Sequence, residues 1–226
     1  MTVFSRSLAG QVHSRNARVA RRAEDPAAHG GREFDCRYGV DTAGYIATQC
    51  LTVIGPNRLH TAGYAPIHNI HYDFGHYLSF LAINYEESTF VDLGSGKGRA
   101  VLIASLLPFF RVVGVEFSGD LVAIARENVR RFPHAAQRCG SIELLHLDAV
   151  DYVFPDTPLV LYLWNPFDRS VMERVVANLA ASYRRNPGRR MVVMYFSPVL
   201  AHLFDGVPFL RRRSGVKGLR FWDTHS

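Results

Sequence analysis

The sequence predicts a doubly wound α/β domain on a mostly parallel sheet, and three features predict it. Short apolar runs of strand length alternate with segments of helical period from Thr89 to Phe196. The first run leads into glycines at 94, 96 and 98, as a tight strand-to-helix turn requires. Near the end of the chain, two extended segments flank a Gly-containing turn, which reads as an antiparallel hairpin at the sheet edge.

Residues 1–33 read as a flexible basic arm punctuated by Asp25-Pro26 and Gly30-Gly31, with the ordered domain, residues 34–226, starting at Phe34. Asp41–Ile54 and Phe74–Asn84 carry apolar residues at three- and four-residue spacing and read as helices, with turns at Gly55-Pro56-Asn57 and Gly63–Pro66 between them. Phe90–Leu93 is the first strand, and Gly98–Leu107 the helix after it, stopped by Pro108. Arg111–Phe117 is the second strand. In the helix Asp120–Phe132, residues Leu121, Ile124, Ala125, Asn128, Val129 and Phe132 share one face, with Asn128 its single polar interruption. Ser141–Leu147, Leu159–Trp164 and Met191–Phe196 are the remaining parallel strands. The helix Ser170–Tyr183 buries Val171, Val175 and Leu179 and ends at Asn186-Pro187-Gly188. Val207–Arg213 and Leu219–Thr224 form the hairpin. Right-handed crossovers then cover both faces with helices and leave a ligand site at the carboxyl ends of the strands, where the winding reverses.

Composition narrows the function. A chain of 226 residues, 48% hydrophobic, can bury a full core. No apolar run reaches the roughly 18 residues of a membrane span, so no membrane partner is expected. Cys36, Cys50 and Cys139 are scattered without CxxC spacing, which suggests neither a disulfide framework nor a zinc site and fits a reducing, cytoplasmic setting. The net charge of +6 gathers at the ends, in Arg6, Arg15, Arg18, Arg21, Arg22 and Arg32 and in Arg211, Arg212, Arg213, Lys217 and Arg220. These are either solvated segments or a contact for a polyanion. The arm has the Arg-rich composition of a transit peptide but no apolar h-region of a secretory signal. Oligomeric state is open.

The chemistry concentrates in Val91-Asp92-Leu93-Gly94-Ser95-Gly96-Lys97-Gly98. A P-loop needs a glycine where Val91 stands and Ser or Thr where Gly98 stands, so that pattern fails. A dinucleotide fingerprint needs its third glycine where Arg99 stands, which disfavours a nicotinamide enzyme. What remains is acid-x-Gly-x-Gly-x-Gly. A carboxylate, Glu116, ends the second strand 22 residues after Gly94, where its oxygens can accept from two neighbouring hydroxyls. Asp148 and Ala149 follow the third strand, and Asn165-Pro166-Phe167 the fourth.

These residues resemble the motifs of the Rossmann-like, class I S-adenosylmethionine-dependent methyltransferases. The resemblance implies S-adenosyl-L-methionine as cofactor, held by Asp92, Gly94, Ser95, Gly96, Gly98, Glu116, Phe117, Asp148 and Ala149. The glycine loop would lie under the methionine part, with Asp92 toward its ammonium, Glu116 on the ribose, Phe117 either beside the adenine or in an ordinary core role, and Asp148 on the adenine amino group. Asp148 as a plain cap of the next turn is the alternative. Asn165-Pro166-Phe167 resembles the Asn/Asp-Pro-Pro-aromatic segment of amino-methylating relatives but lacks its second proline; Asn165 and Phe167 are the candidate catalytic residues beside an unidentified acceptor, an amine nitrogen favoured. A strand-exit turn explains the same residues. Together with Tyr38-Gly39-Val40-Asp41-Thr42, the pattern resembles a group of uncharacterised, mostly bacterial methyltransferase-like proteins. Upstream, His68–Tyr77 is rich in imidazole and phenol without metal-ligand spacing, so no metal is expected. A lid or acceptor-side role for Tyr64, Tyr72 or a histidine stands beside ordinary packing. The alternative function is a cofactor-binding domain without turnover that binds nucleic acid or protein.

Overall fold

The computed structural model describes residues 27–47, 50–52, 64, 70–79, 81–216 and 218–224. Its centre is a seven-stranded sheet: β1 Thr89–Leu93, β2 Arg111–Glu116, β3 Ile142–His146, β4 Leu159–Trp164, β5 Met191–Phe196, β6 Arg211–Val216 and β7 Leu219–Asp223. The order is β3-β2-β1-β4-β5-β7-β6. The first five strands are parallel, and β7 runs antiparallel against β5 and β6. The order reverses between β1 and β4, the crevice where open α/β sheets bind ligands.

The central strands are apolar throughout because both faces are covered. Odd-numbered residues such as Val91, Val113, Leu161 and Val193 join one core with α5 (Arg169–Arg185) and α6 (His202–Asp205). Even-numbered residues such as Phe90, Val112, Val160 and Met194 join a second core with α1 (Ala27–Tyr38), α2 (Ile70–Ser79) and α3 (Arg99–Ala104). Parallel register therefore sends Asp92, Glu116 and Tyr162 toward this second face.

The expected elements from β1 to β5 stand within a few residues of their predicted bounds. The helix after β2, α4, runs Gly119–Arg131 with Ser118 as its cap, and α5 is capped by Asp168 Oδ1 accepting from Val171 N at 3.0 Å. Four expectations are corrected. Described residues 41–47 of the helix expected over Asp41–Ile54 are irregular: Gly44 takes a φ of 81°, and Ile46 bridges Tyr64. The amide of Asp41 bonds to Asn128, and those of Thr42 and Ala43 to Asp35, so tertiary partners override the local period. The helix expected over Phe74–Asn84 is shifted to Ile70–Ser79, with Phe74 and Leu78 buried. The hairpin strand begins at Arg211 because Val207 and Leu210 turn into the core around Pro208. And α1 runs through Gly30-Gly31, beginning before Phe34; Phe34 and Tyr38 pack on Phe132, with ring centroids 6.4 and 4.7 Å away. The turn at Gly55-Pro56-Asn57, the arm up to residue 26, and His68 lie outside the described residues.

Asn128, the polar interruption of the α4 face, is 1% exposed. Its Nδ2 donates to the carbonyls of Asp41 at 2.8 Å and Lys97 at 2.9 Å, and its Oδ1 accepts from Asp41 N at 2.7 Å. It joins the N-terminal segment to the glycine loop. Asn128→Leu leaves those backbone groups unpaired, and urea unfolding is expected to show a loss of roughly 2–4 kcal/mol, since each buried orphan costs about 1–3 kcal/mol.

Candidate active site

The chain leaves β1 with Gly94 at φ 83°, Gly96 at 54° and Gly98 at 86°, conformations that side chains resist. A Cβ on Gly94 would lie 2.7 Å from Pro166 Cβ, and one on Gly96 would lie 2.3 Å from the Tyr64 ring. The loop thus sits between the β4 exit and Tyr64, whose hydroxyl donates to the Thr42 carbonyl at 2.7 Å.

The loop faces the end of β2. Glu116 is 5% exposed; its Oε2 accepts from Gly96 N at 2.9 Å and its Oε1 from Ser118 N at 2.9 Å. Burial pushes the Glu116 carboxyl up from its ordinary value, and the amides of Ser118 and Gly96 oppose that rise. Asp92, 3% exposed, is pushed well above its ordinary 3.8 by burial, and the Glu116 charge adds to the shift. Two carboxyls of one sign therefore border one hollow, an arrangement that a cation relieves.

That hollow is a cavity of about 320 Å³ across the carboxyl ends of the parallel strands. Of the residues singled out in the sequence, Asp92, Gly94, Ser95, Gly96, Glu116, Phe117, Asp148, Ala149, Asn165 and Phe167 line it. Gly98 stands outside the lining; it is the N-cap position of α3 and abuts Ala125, so its need for glycine is conformational. Asp148 does cap a 3-10 turn at Ala149–Asp151, with Oδ1 accepting from Val150 N at 3.1 Å, while also bordering the cavity. Asn165 holds a φ of 40° and accepts on Oδ1 from the Tyr195 hydroxyl at 2.8 Å. Ser197, at the exit of β5, has a φ of 46° and also lines the cavity. Non-glycine residues in this region are held there by their surroundings and gather at functional sites.

Several lining residues were missed: Leu51, Arg99, Tyr162, Trp164 and Ser197. Tyr162 and Trp164 had a signal, being the wide residues with a polar tip in an apolar strand. Ser197 had none. Tyr64, weighed as a lid residue, borders the cavity; the side chains of His71 and Tyr72 lie outside the described residues.

Lys97 and Arg99 tie the N-terminal segment to the glycine loop and α3, and Arg99 also lines the cavity. Lys97 Nζ donates to Asp41 Oδ1 at 2.9 Å and the Ala43 carbonyl at 2.8 Å. Arg99 Nε donates to Thr42 Oγ1 at 2.6 Å, and its NH2 pairs with Asp35 Oδ1 at 3.3 Å. Both stems are buried.

No protein-family profile matches the chain, and no curated protein matches it in sequence. Solved structures do match. A predicted N6-adenine-specific DNA methylase from Listeria monocytogenes superposes with a TM-score of 0.52 at 15% identity, over 73% of this chain and 56% of that one. The chain has a Rossmann-like fold, which it shares with that protein. It spans little more than half of the Listeria protein. An RNA methyltransferase from Salinibacter ruber, in complex with S-adenosyl-L-homocysteine, matches at 22% identity and TM-score 0.46 over 67% of this chain and 88% of that one. A precorrin-6y C5,15-methyltransferase from Geobacter metallireducens matches at 14% identity and TM-score 0.48, over 66% and 85%. Among the described residues no helix is long and apolar enough to cross a membrane.

The buried acids make a pH prediction. The folded-state pKa of Asp92 is raised, so its ionisation costs stability as pH climbs above its ordinary value of 3.8 toward the folded-state value. Thermal melting without ligand is expected to show Asp92→Asn gaining on the wild type as pH rises from 4 to 8; a gap independent of pH contradicts the assignment.

Proposed function

We propose that the chain is an S-adenosyl-L-methionine-dependent methyltransferase. One observation supports this above the others. The glycine loop and Glu116 are joined at 2.9 Å on the rim of a cavity that also holds the buried Asp92, at the point where the strand order reverses. The cavity suits such a ligand chemically. Two carboxyls favour a molecule of net positive charge, and the buried hydroxyls of Ser95 and Tyr162 have no hydrogen-bond partner among the described residues.

On this reading Asp92 takes the cofactor's ammonium, and the glycine loop, held between Pro166 and Tyr64, borders its methionine part. Glu116 takes the ribose hydroxyls, which it can do while keeping Gly96 and Ser118, because two oxygens offer about four acceptor sites. Phe117, Asp148 and Ala149 border the adenine. When bound, the cofactor supplies a methyl carbon made electrophilic by a sulfonium. The protein's own task is then to hold an acceptor lone pair in line and keep water out, and positioning of this kind supplies most of the rate.

Asn165 and Phe167 stand at the acceptor side. The Tyr195 hydroxyl orients the Asn165 amide, and Phe167 is half-buried against the core, so both are pre-set. An amine nitrogen is the favoured acceptor, with the Asn165 carbonyl oxygens as its hydrogen-bond acceptors. A neutral amine needs no general base, and none is assigned.

A second reading keeps the ligand site and drops the turnover, leaving a module that binds nucleic acid or protein. It is favoured by Arg211, Arg212 and Arg213, all exposed on the edge strand β6. Its nucleic-acid affinity would fall steeply with salt.

Titration calorimetry with S-adenosylmethionine and S-adenosylhomocysteine is expected to show binding. Glu116→Gln is expected to weaken it at least about tenfold, as the loss of hydrogen bonds to a charged acceptor implies. Labelled-methyl transfer into fractionated lysate then names the acceptor class. Well-folded protein that binds neither ligand removes the proposal, and binding without transfer favours the second reading.

A further inference from the structure

Tyr162 is the one residue of the β4 run Leu-Val-Leu-Tyr-Leu-Trp whose hydroxyl is both buried and without a partner among the described residues. The residue is 2% exposed. Its ring is caged by Phe74, Phe90 and Phe196, at centroid separations of 4.6, 6.2 and 5.7 Å. Nothing in that cage asks for an oxygen. A phenylalanine would fill it, and a hydroxyl taken from water without a new partner is a net cost.

The residue nonetheless borders the cavity, and its place in the register is specific. Tyr162 is the β4 partner of Asp92 on β1, so the two side chains project side by side from one face of the sheet. On the other side Asp92 pairs with Gly114, which brings no side chain. The acid thus has a single cross-strand neighbour able to share its ligand.

From this juxtaposition we infer that the Tyr162 hydroxyl is a binding group for the amino-acid end of the adenosyl ligand, beside Asp92; the inference rests on the methyltransferase reading above. An ionised carboxylate only accepts, so Asp92 serves the ammonium alone. The amino-acid end also carries a carboxylate, which needs a donor. A phenol supplies one as long as it stays protonated. Burial, with the Asp92 charge adding, holds the Tyr162 hydroxyl well above its ordinary range and keeps it a donor.

Tyr162→Phe tests the assignment without disturbing the cage. Calorimetry compares S-adenosylhomocysteine with 5′-methylthioadenosine, which keeps the nucleoside and lacks the amino-acid end. The variant is expected to lose about tenfold in affinity for S-adenosylhomocysteine, the size of a hydrogen bond to a charged group, and to hold methylthioadenosine within about twofold of wild type. Its melting temperature without ligand is expected to equal or exceed that of the wild type, since an unpaired hydroxyl has been removed. Unchanged affinity for S-adenosylhomocysteine, or equal losses for both ligands, overturns the inference and leaves the methyltransferase reading standing. A wild type that binds neither ligand overturns both.

Discussion

The bond from the Gly96 amide to Glu116 Oε2, 2.9 Å long, ties the end of β2 to the loop that follows β1. Without it the loop would have to satisfy a buried amide elsewhere, and the carboxylate would face the hollow with one fewer donor. The geometry constrains both partners. Gly96 must be glycine because of its φ and because the Tyr64 ring occupies the place of a Cβ. Glu116 must reach back across the strand end, and Ser118 N, at 2.9 Å, keeps its other oxygen in line. The same carboxylate is thereby fixed in position on the rim of the cavity, so that a structural bond sets the side chain that the proposed ligand site would use.

Around that bond the N-terminal segment acts as a strap. Asp35, Asp41, Thr42 and Ala43 are held by Lys97, Arg99 and Asn128, residues that belong to the loop, the helix after it and α4. The cations at the loop and the start of α3 are thus ion-paired within the protein, Lys97 with Asp41 and Arg99 with Asp35. Asp41 and Thr42 of the N-terminal segment meet Lys97 and Arg99 in one contact. The Lys97–Asp41 pair contributes chiefly by satisfying a buried ammonium, because Asp41 itself is mostly exposed and such pairs are well screened.

Legibility in the sequence followed the range of the forces involved. The five parallel strands and the helices α4 and α5 were readable because burial on two faces, or one, writes a period into the residues themselves. The glycine loop and Glu116 were readable because their chemistry is local. The irregular course of residues 41–47 was not, since the amides of Asp41, Thr42 and Ala43 take partners chosen by the fold, one of them 87 residues away. The helix through Gly30-Gly31 runs against local propensity, and its Phe34 and Tyr38 pack on Phe132, a contact made only in the fold. At the site, Ser197 reaches the cavity only because it follows the end of β5, which no local pattern announces, whereas Tyr162 stood out as a polar tip in an apolar strand. Asn128 was the instructive middle case: visible as a polar break in an apolar face, but with its purpose written only in the partners it meets.

The central claim is that an adenosyl ligand bridges the glycine loop and the acid at the tip of β2. A crystal structure of the protein grown with S-adenosylhomocysteine tests it most directly. The account predicts density in the cavity with the ribose hydroxyls on Glu116 and the ammonium at Asp92. Density elsewhere, or a cavity closed by Tyr64 and Phe117 at saturating ligand, would contradict it.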